Sequence, residues 1–308
     1  MKQCAILFVN AARKPSAHPA FLRDAGFVVH EIREWPDDDR TVRDYHVVVV
    51  LLLAIARPAV AADPLVEARR LYNLGQYESA ERLAREAAAI PARTDAARVV
   101  LGRIQLERYR QSSDPRDLAL ARESLRTVNA TPLDAAERVE LTVGLAETLY
   151  FEERYGAAAQ LFESVRQRSI LLGTPAHERV LDWWATSVDK QAQARNPDER
   201  PAIYARVLDR MNEEIAEYPG STAAGYWLAA AARASGDTER AWHASHAGWL
   251  RASLADDRGV ALRADLDRLV TQAIIPERAA KIAKGDQLKD AQTAMIAEWD
   301  AFKKAWSQ

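Results

Sequence analysis

One stretch of this chain constrains the fold more than any other, and it reads VELTVGLAETLYFEERYGAAAQLFESVRQRS over residues 139–169. Apolar and small side chains recur in it with a period near 3.6 residues, on both sides of the polar break Glu152-Glu153-Arg154. This pattern predicts two amphipathic helices that are joined by a tight turn and packed antiparallel. A single hairpin cannot bury its apolar face alone, so further copies are expected along the chain.

The same spacing predicts five hairpins in all. They lie at about 66–90, 96–128, 139–169, 179–215 and 222–251. The first contains LGQYESAERLAREAAAIP, where Gly75 supplies the turn and Pro91 stops the second helix. The fourth is the least regular, because Asn196-Pro197-Asp198 interrupts it.

In detail, residues 63–251 resemble tetratricopeptide repeats, helix–turn–helix units of about 34 residues that stack into a solenoid. The resemblance rests on the small residues Ala146 and Ala158 at helix crossings, on Tyr155 in the turn and on Phe162 facing the core. It implies a right-handed superhelix whose concave groove, lined by the first helix of each hairpin, binds peptides or partner proteins. Members of the family are rarely enzymes, so the resemblance implies a non-enzymatic scaffold.

Residues 252–308 depart from the repeat and are predicted to be capping helices. Apolar residues recur every three or four positions in 260–275 and 286–306, and Pro276 begins a short helix between them. A solenoid needs such an element to cover its last exposed core face. The predicted fold class is therefore all-α, a helical hairpin solenoid with C-terminal capping helices, preceded by a short α/β-like segment.

Residues 1–46 do not share the helical pattern. Short strands are predicted at 5–9, 27–32 and 46–50. With a helix that ends at Gly26 between the first two, this order resembles the first half of a response-regulator receiver domain. The acidic residues of that family are missing, because Asn10-Ala11 follows the first strand and Leu51-Leu52-Leu53 follows the third. The segment is predicted to be a degenerate receiver-like remnant or a mis-annotated extension.

A second interpretation overlaps the third strand. Residues 47–56 form an apolar run of ten, preceded by Arg40 and Arg43 and followed by small residues before Asp63. This is typical of a secretory signal peptide, and the run is shorter than the roughly 20 residues of a membrane span. If translation begins near Val42, residues 42–62 are a signal peptide and the mature chain is periplasmic or secreted. Otherwise the protein is cytoplasmic, a signalling adaptor with a receiver-like module.

Composition excludes several classes of function. The formal net charge is −2 over 308 residues, so no nucleic-acid partner is expected. Cys4 is the only cysteine, which excludes a disulfide framework and a thiolate metal site. No phosphate-binding loop, dinucleotide glycine pattern or nucleophile elbow occurs, so we expect no cofactor.

Candidate ligand contacts are the first-helix residues that the family resemblance places in the groove. They are Arg69, Arg98, Gln105, Glu140, Glu147, Trp183 and Tyr226. Trp184 is added because adjacent helical residues point about 100° apart, so that Trp183 and Trp184 are not both expected in the core. Seven of the eight tryptophans lie between Trp183 and Trp306, which indicates either core packing or an aromatic groove for a peptide or glycan.

Two further sets of residues leave alternatives open. The first two hairpins are rich in arginine, Arg103 among them, and arginines lining a groove would suit a peptide C-terminal carboxylate. Acidic residues are interleaved with them, so surface ion pairing is the simpler interpretation. His243 and His246 share one helix face, but no third ligand follows at a recognisable spacing, so we predict no metal. An enzyme or metal site near these histidines remains the alternative to a scaffold.

Overall fold

The computed structural model describes residues 3–7, 28–32 and 63–306. The chain has two compact units, Met1–Asp63 and Pro64–Gln308. In the first unit, β1 (Gln3–Leu7) and β2 (Val28–Ile32) pair in parallel along their whole length. These two strands overlap the first two predicted ones. The predicted strand at 46–50 and the predicted signal peptide at 42–62 lie outside the described residues.

The second unit is helical from residue 64 onward. Its α-helices within residues 63–306 are α1 Pro64–Asn73, α2 Tyr77–Ala88, α3 Thr94–Ser112, α4 Pro115–Arg126, α5 Ala135–Phe151, α6 Tyr155–Val165, α7 Thr174–Gln193, α8 Arg200–Glu217, α9 Thr222–Ala234, α10 Thr238–Arg251, α11 Val260–Leu269, α12 Ile275–Ile282 and α13 Asp286–Trp306. A π-helical segment, Val270–Ile274, joins α11 to α12. None of these helices combines the length and the apolar character that crossing a bilayer requires.

Local sequence signals explain where the helices begin and end. Asp134 and Glu137 form a capping box at the start of α5, in which each side chain accepts a hydrogen bond from the other's backbone N–H, at 2.8 and 3.0 Å. Gly75 and Gly236 close the first and fifth hairpin turns with φ of 72° and 88°. Glycine is favoured in that left-handed conformation because it has no Cβ.

Five consecutive helical hairpins form the body of this unit. They are α1–α2, α3–α4, α5–α6, α7–α8 and α9–α10. The first helix of each hairpin contacts the first helix of the next, and each second helix contacts the first helix that follows it. Helix α11 continues the row by packing on α9 and α10. Such nearest-neighbour stacking defines a solenoid, so the predicted all-α hairpin fold is confirmed.

Small residues allow the helices to approach closely. Ala146 and Ala158, predicted at helix crossings, are both fully buried, as is Phe162. A Cβ atom added to Gly102 in α3 would lie 2.6 Å from the Leu125 side chain of α4. Contacts at that distance are repulsive, so the packing of α3 against α4 depends on the missing side chain.

The C-terminal helices cover the end of the hairpin stack, as predicted. Trp299 of α13 is fully buried and contacts the rings of Trp242 and Trp249 on α10, with centroids 5.9 and 5.4 Å apart. Its indole Nε1 donates to Asp267 Oδ1 of α11 at 2.8 Å. One tryptophan therefore ties α13 both to the last hairpin and to the helix that continues the row.

Candidate functional site

Three of the predicted site residues, Arg69, Glu140 and Glu147, belong to one charged network on first helices. Arg69 of α1 donates from Nε to Glu140 Oε2 at 3.0 Å and from Nη2 to Glu137 Oε1 at 3.3 Å, both on α5. Glu137 is already held in place by its capping box. Together with Arg103 of α3, these residues form what we call the first-helix network: Arg69, Arg103, Glu137, Glu140 and Glu147. It links the first three hairpins through their first helices.

Arg103 stands at the centre of the first-helix network. Its Nη1 lies 3.5 Å from Glu140 Oε1, its Nη2 lies 3.8 Å from Glu147 Oε1, and its guanidinium carbon lies 4.8 Å from the ring centroid of Tyr72. Burial lowers the pKa of Arg103, but Tyr72 and the carboxylates of Glu147 and Glu140 raise it overall. The side chain is only 7% exposed, yet it makes no hydrogen bond within the described residues.

Glu147 of α5 has no ion-pair partner besides Arg103 among the described residues, whereas Glu140 also pairs with Arg69. The residue is 5% exposed, and its carboxylate accepts no hydrogen bond from the described part of the chain. Burial raises the pKa of Glu147, and the attraction of Arg103 offsets part of that effect. Of the polar atoms in this pair, only Arg103 Nε is sealed from solvent without a partner. The terminal nitrogens of Arg103 and the oxygens of Glu147 therefore reach the protein surface.

An exposed arginine flanks this pair on the next first helix. Arg179 of α7 is close enough for its charge to lower the pKa of Glu147, but it has no ion-pair partner among the described residues. The surface carried by Arg103, Glu147 and Arg179, on α3, α5 and α7, is called the first-helix face below. It combines an exposed cation with a largely buried ion pair whose two members accept or donate no hydrogen bond within the described residues.

We expect the stability of Glu147→Gln relative to wild type to rise as the pH increases from acid to neutral. Because the folded-state pKa is raised, the stability that protonation of Glu147 contributes is complete below the unfolded pKa and is lost as pH rises through the folded pKa. Glutamine does not titrate, so the variant does not lose this stability as the pH rises. Urea unfolding between about pH 4 and pH 8 should show the free energy of unfolding of the variant, relative to wild type, rising with pH, by about 1.4 kcal/mol per tenfold difference in proton affinity between the folded and unfolded states. A difference that does not vary with pH would contradict the prediction.

Two other predicted contacts lie elsewhere on α3. Arg98 Nη1 lies 3.5 Å from Asp95 Oδ1, one turn earlier on the same helix. Gln105 Oε1 accepts a hydrogen bond from Ser124 Oγ of α4 at 2.9 Å. Gln105 therefore faces the second helix of its own hairpin, and the structure does not bring either residue into the first-helix network.

The adjacent tryptophans of α7 have different environments. Trp184 is fully buried, and its indole nitrogen has no hydrogen-bond partner within the described residues. Trp183 is half-buried and contacts the rings of Tyr150, Phe151 and Phe162, with centroids 4.7, 5.5 and 6.4 Å away. Of the two, only Trp183 offers surface to a ligand.

Tyr226 of α9 lies in a separate region of the first-helix stack. Its half-buried ring meets that of Trp227 edge-on at 5.6 Å, and Trp227 Nε1 donates to Asp182 Oδ1 of α7 at 2.8 Å. Burial raises the pKa of Tyr226, and the nearby carboxylates of Asp265 and Asp182 raise it further. The predicted aromatic contacts thus form no single cluster with the charged ones.

The two histidines of α10 have different surroundings. The His246 ring packs against Trp242, Trp299 and Phe302, with centroids 4.7, 5.2 and 4.2 Å away, and its Nδ1 lies 2.8 Å from the carbonyl oxygen of Trp242. His243 is exposed. In the part of the chain that the structure describes, no group of three histidine, cysteine or acidic residues could hold a metal ion.

The sequence did not indicate a series of buried hydrogen bonds that joins the third hairpin to the fourth. Ser169 Oγ lies 2.7 Å from His177 Nδ1, and His177 Nε2 lies 2.9 Å from Glu214 Oε1. The residue types are those of a hydrolase triad, but Ser169 is fully buried and also donates to the Arg166 carbonyl oxygen at 2.6 Å. A nucleophile must reach its substrate, and a fully buried hydroxyl does not. These hydrogen bonds instead hold α7 and α8 to the turn that precedes α7. Separations of 8 and 37 residues give no recognisable motif.

Comparison with known proteins assigns no family to the chain. No protein-family model, curated protein or solved structure matches it. The class that the fold defines is a helical hairpin solenoid with capping helices and a charged first-helix network. The resemblance of its hairpins to tetratricopeptide repeats stays a prediction.

Proposed function

We propose that this protein is a non-enzymatic scaffold that binds a peptide or a segment of a partner protein along its first-helix face. The observation that carries the proposal is the unused hydrogen-bonding capacity of Arg103 and Glu147 beside the exposed Arg179. These residues lie on three successive first helices, a spacing that suits an extended ligand crossing the stack. The tetratricopeptide resemblance supports the same surface.

An array of peptides, in blocked and free-acid forms, tests this function with the full-length protein as probe. Binding of the tightest peptide is then measured by fluorescence anisotropy. Arg179→Glu is compared with Arg206→Glu, because both arginines belong to the fourth hairpin, are exposed and have no ion-pair partner among the described residues. Arg179 lies on the first helix of that hairpin, and Arg206 on the second.

Charge reversal at Arg179 is expected to change the affinity by at least about tenfold, or about 1.4 kcal/mol, and reversal at Arg206 by less than about twofold. The sign of the Arg179 effect reports the charge of the ligand at that point. Circular dichroism of both variants checks that the fold is unchanged. An array without binders, or equal effects of the two reversals, would contradict the proposed function.

Localisation is proposed from the sequence alone. Export to the bacterial envelope follows if residues 42–62 act as a signal peptide, and a cytoplasmic signalling adaptor follows if they do not. N-terminal sequencing of the protein from its natural host separates the two, because a chain that starts at Ala62 or Asp63 has been processed. No observation favours an enzyme or metal site at His243 and His246.

A further inference from the structure

We propose that Arg103 and Glu147 bind the main chain of the ligand. In this arrangement both side chains bind the same extended residue of the ligand. The Arg103 guanidinium donates to the carbonyl oxygen of that residue, and the Glu147 carboxylate accepts from its N–H. The inference rests on the proposed function, since it requires a peptide on the first-helix face. It goes further by assigning the chemistry that the pair recognises.

The first argument is that both members of the pair lack hydrogen bonds although both are buried. Each side chain is 7% exposed, and neither hydrogen bonds to any described residue. Buried polar groups in native proteins almost always have partners, and an unpaired one costs about 1–3 kcal/mol, more when it is charged. The terminal nitrogens of Arg103 and the oxygens of Glu147 still reach the surface, so a ligand can supply these partners in place of water.

The second argument is the spacing of the pair. Arg103 Nη2 and Glu147 Oε1 are 3.8 Å apart, too far for a direct hydrogen bond. In an extended peptide the N–H and the C=O of one residue point to the same side, with nitrogen and oxygen roughly 3 Å apart. Two hydrogen bonds of about 2.9 Å can therefore bridge such a residue to a pair with this separation.

The third argument is that the pair discriminates against charged ligand groups. A ligand carboxylate would be attracted by Arg103 but repelled by Glu147. An ammonium group would be attracted by Glu147 but repelled by Arg103. A neutral group that both donates and accepts has no such conflict. This favours the main chain over the C-terminal carboxylate that an arginine-rich groove would otherwise suggest.

The surroundings hold Arg103 in position for this role. Its guanidinium lies over the Tyr72 ring of α1, and its Nη1 is attracted by Glu140 of α5, which Arg69 in turn fixes through a hydrogen bond of 3.0 Å. Elements from three hairpins thus orient the donor. Glu147 has no ion pair besides Arg103 among the described residues, which leaves its carboxylate free to accept.

The experiment uses the tightest array peptide with acetylated and amidated ends. Versions carrying one backbone N-methyl group at each position are titrated against the full-length wild type and Glu147→Ala, beside a side-chain alanine scan. At one position, N-methylation should weaken binding to wild type by at least tenfold while alanine changes it by less than threefold. Against Glu147→Ala the same N-methylation should have little effect, since the acceptor is already gone. Glu147→Gln, which retains a carbonyl acceptor, should restore much of the sensitivity.

The inference would be overturned if N-methylation at every position weakened binding equally in wild type and in Glu147→Ala. Peptide binding itself, and with it the proposed function, would stand. Binding only by peptides with a free C-terminal acid would have the same consequence. Absence of any binding peptide would instead remove the proposed function, and the inference with it. If Glu147→Ala does not fold, the guanidinium ¹⁵N–¹H resonances of Arg103 in wild type serve as readout, and peptide binding that leaves them unshifted overturns the inference.

Discussion

Trp299→Ala is expected to destabilise the C-terminal helices by about 3–5 kcal/mol, the range for truncating a large aromatic residue in a core. Trp299 is fully buried, packs on Trp242 and Trp249, and donates its indole hydrogen bond to Asp267. Its removal leaves a cavity between α10, α11 and α13 and an acceptor without its indole donor. Trp306→Ala is the matched control, because that tryptophan is 56% exposed on the same helix. It should change stability by less than about 0.5 kcal/mol.

Hydrogen–deuterium exchange resolved by mass spectrometry measures both variants. Stability in a solenoid is carried by contacts between neighbours, so the loss in Trp299→Ala should be greatest in α12 and α13 and small in α1 to α4. Exchange in Trp306→Ala should follow wild type throughout. If Trp299→Ala exchanged like wild type in α13, the role of this residue in holding the cap would be refuted.

Gly259→Ala is expected to lower the free energy of unfolding by roughly 2–5 kcal/mol. Gly259 precedes α11 with a φ of 74°, a conformation that costs other residues about 1–2 kcal/mol. An added Cβ would also overlap the backbone oxygen and Cβ of Ala252 at the end of the last hairpin. Overpacking of this kind typically costs a further 1–3 kcal/mol. The backbone cannot easily move away, because Asp257 accepts hydrogen bonds from the N–H groups of Gly259 and Ala261 at 2.7 and 2.9 Å.

Gly285→Ala isolates the conformational part of this effect. Gly285 has a φ of 60°, but an added Cβ would meet no atom within 4 Å. Gly285→Ala should therefore lower the free energy of unfolding only by the cost of a left-handed backbone conformation, about 1–2 kcal/mol. Urea unfolding of wild type and both variants measures the difference. Equal losses in the two variants would mean that the approach of Ala252 to Gly259 is not rigid.

Much of the helical architecture could be predicted because its signals are local. The period of the apolar residues around 139–169 locates α5 and α6, and Gly75 and Gly236 mark turns that the structure closes in the left-handed conformation. The small residues Ala146 and Ala158 were predicted at crossings and are buried there. Each of these signals acts within a few residues of the chain, so the sequence displays it directly.

The sequence indicates some residues of the first-helix network but not how they meet. It points to Arg69, Glu140 and Glu147 one at a time, whereas Arg103, which stands between them, is one of many arginines in the first two hairpins. A local signal for it existed, because it interrupts an apolar run between Val100 and Ile104 in α3. Gln105 lies on a first helix but faces Ser124 of α4, because the position of a residue in the sequence does not tell which neighbour its side chain faces.

The sequence by itself determined that this chain forms helical hairpins, how many there are between residues 63 and 251, and that different helices close the end. Periodicity, caps and turns encode these features within short stretches. Only the tertiary structure decided that Arg103 and Glu147 face each other without a hydrogen bond, and that Trp184 is buried while Trp183 is not. Those outcomes depend on the rotation and separation of stacked helices, which many side-chain contacts far apart in sequence set together.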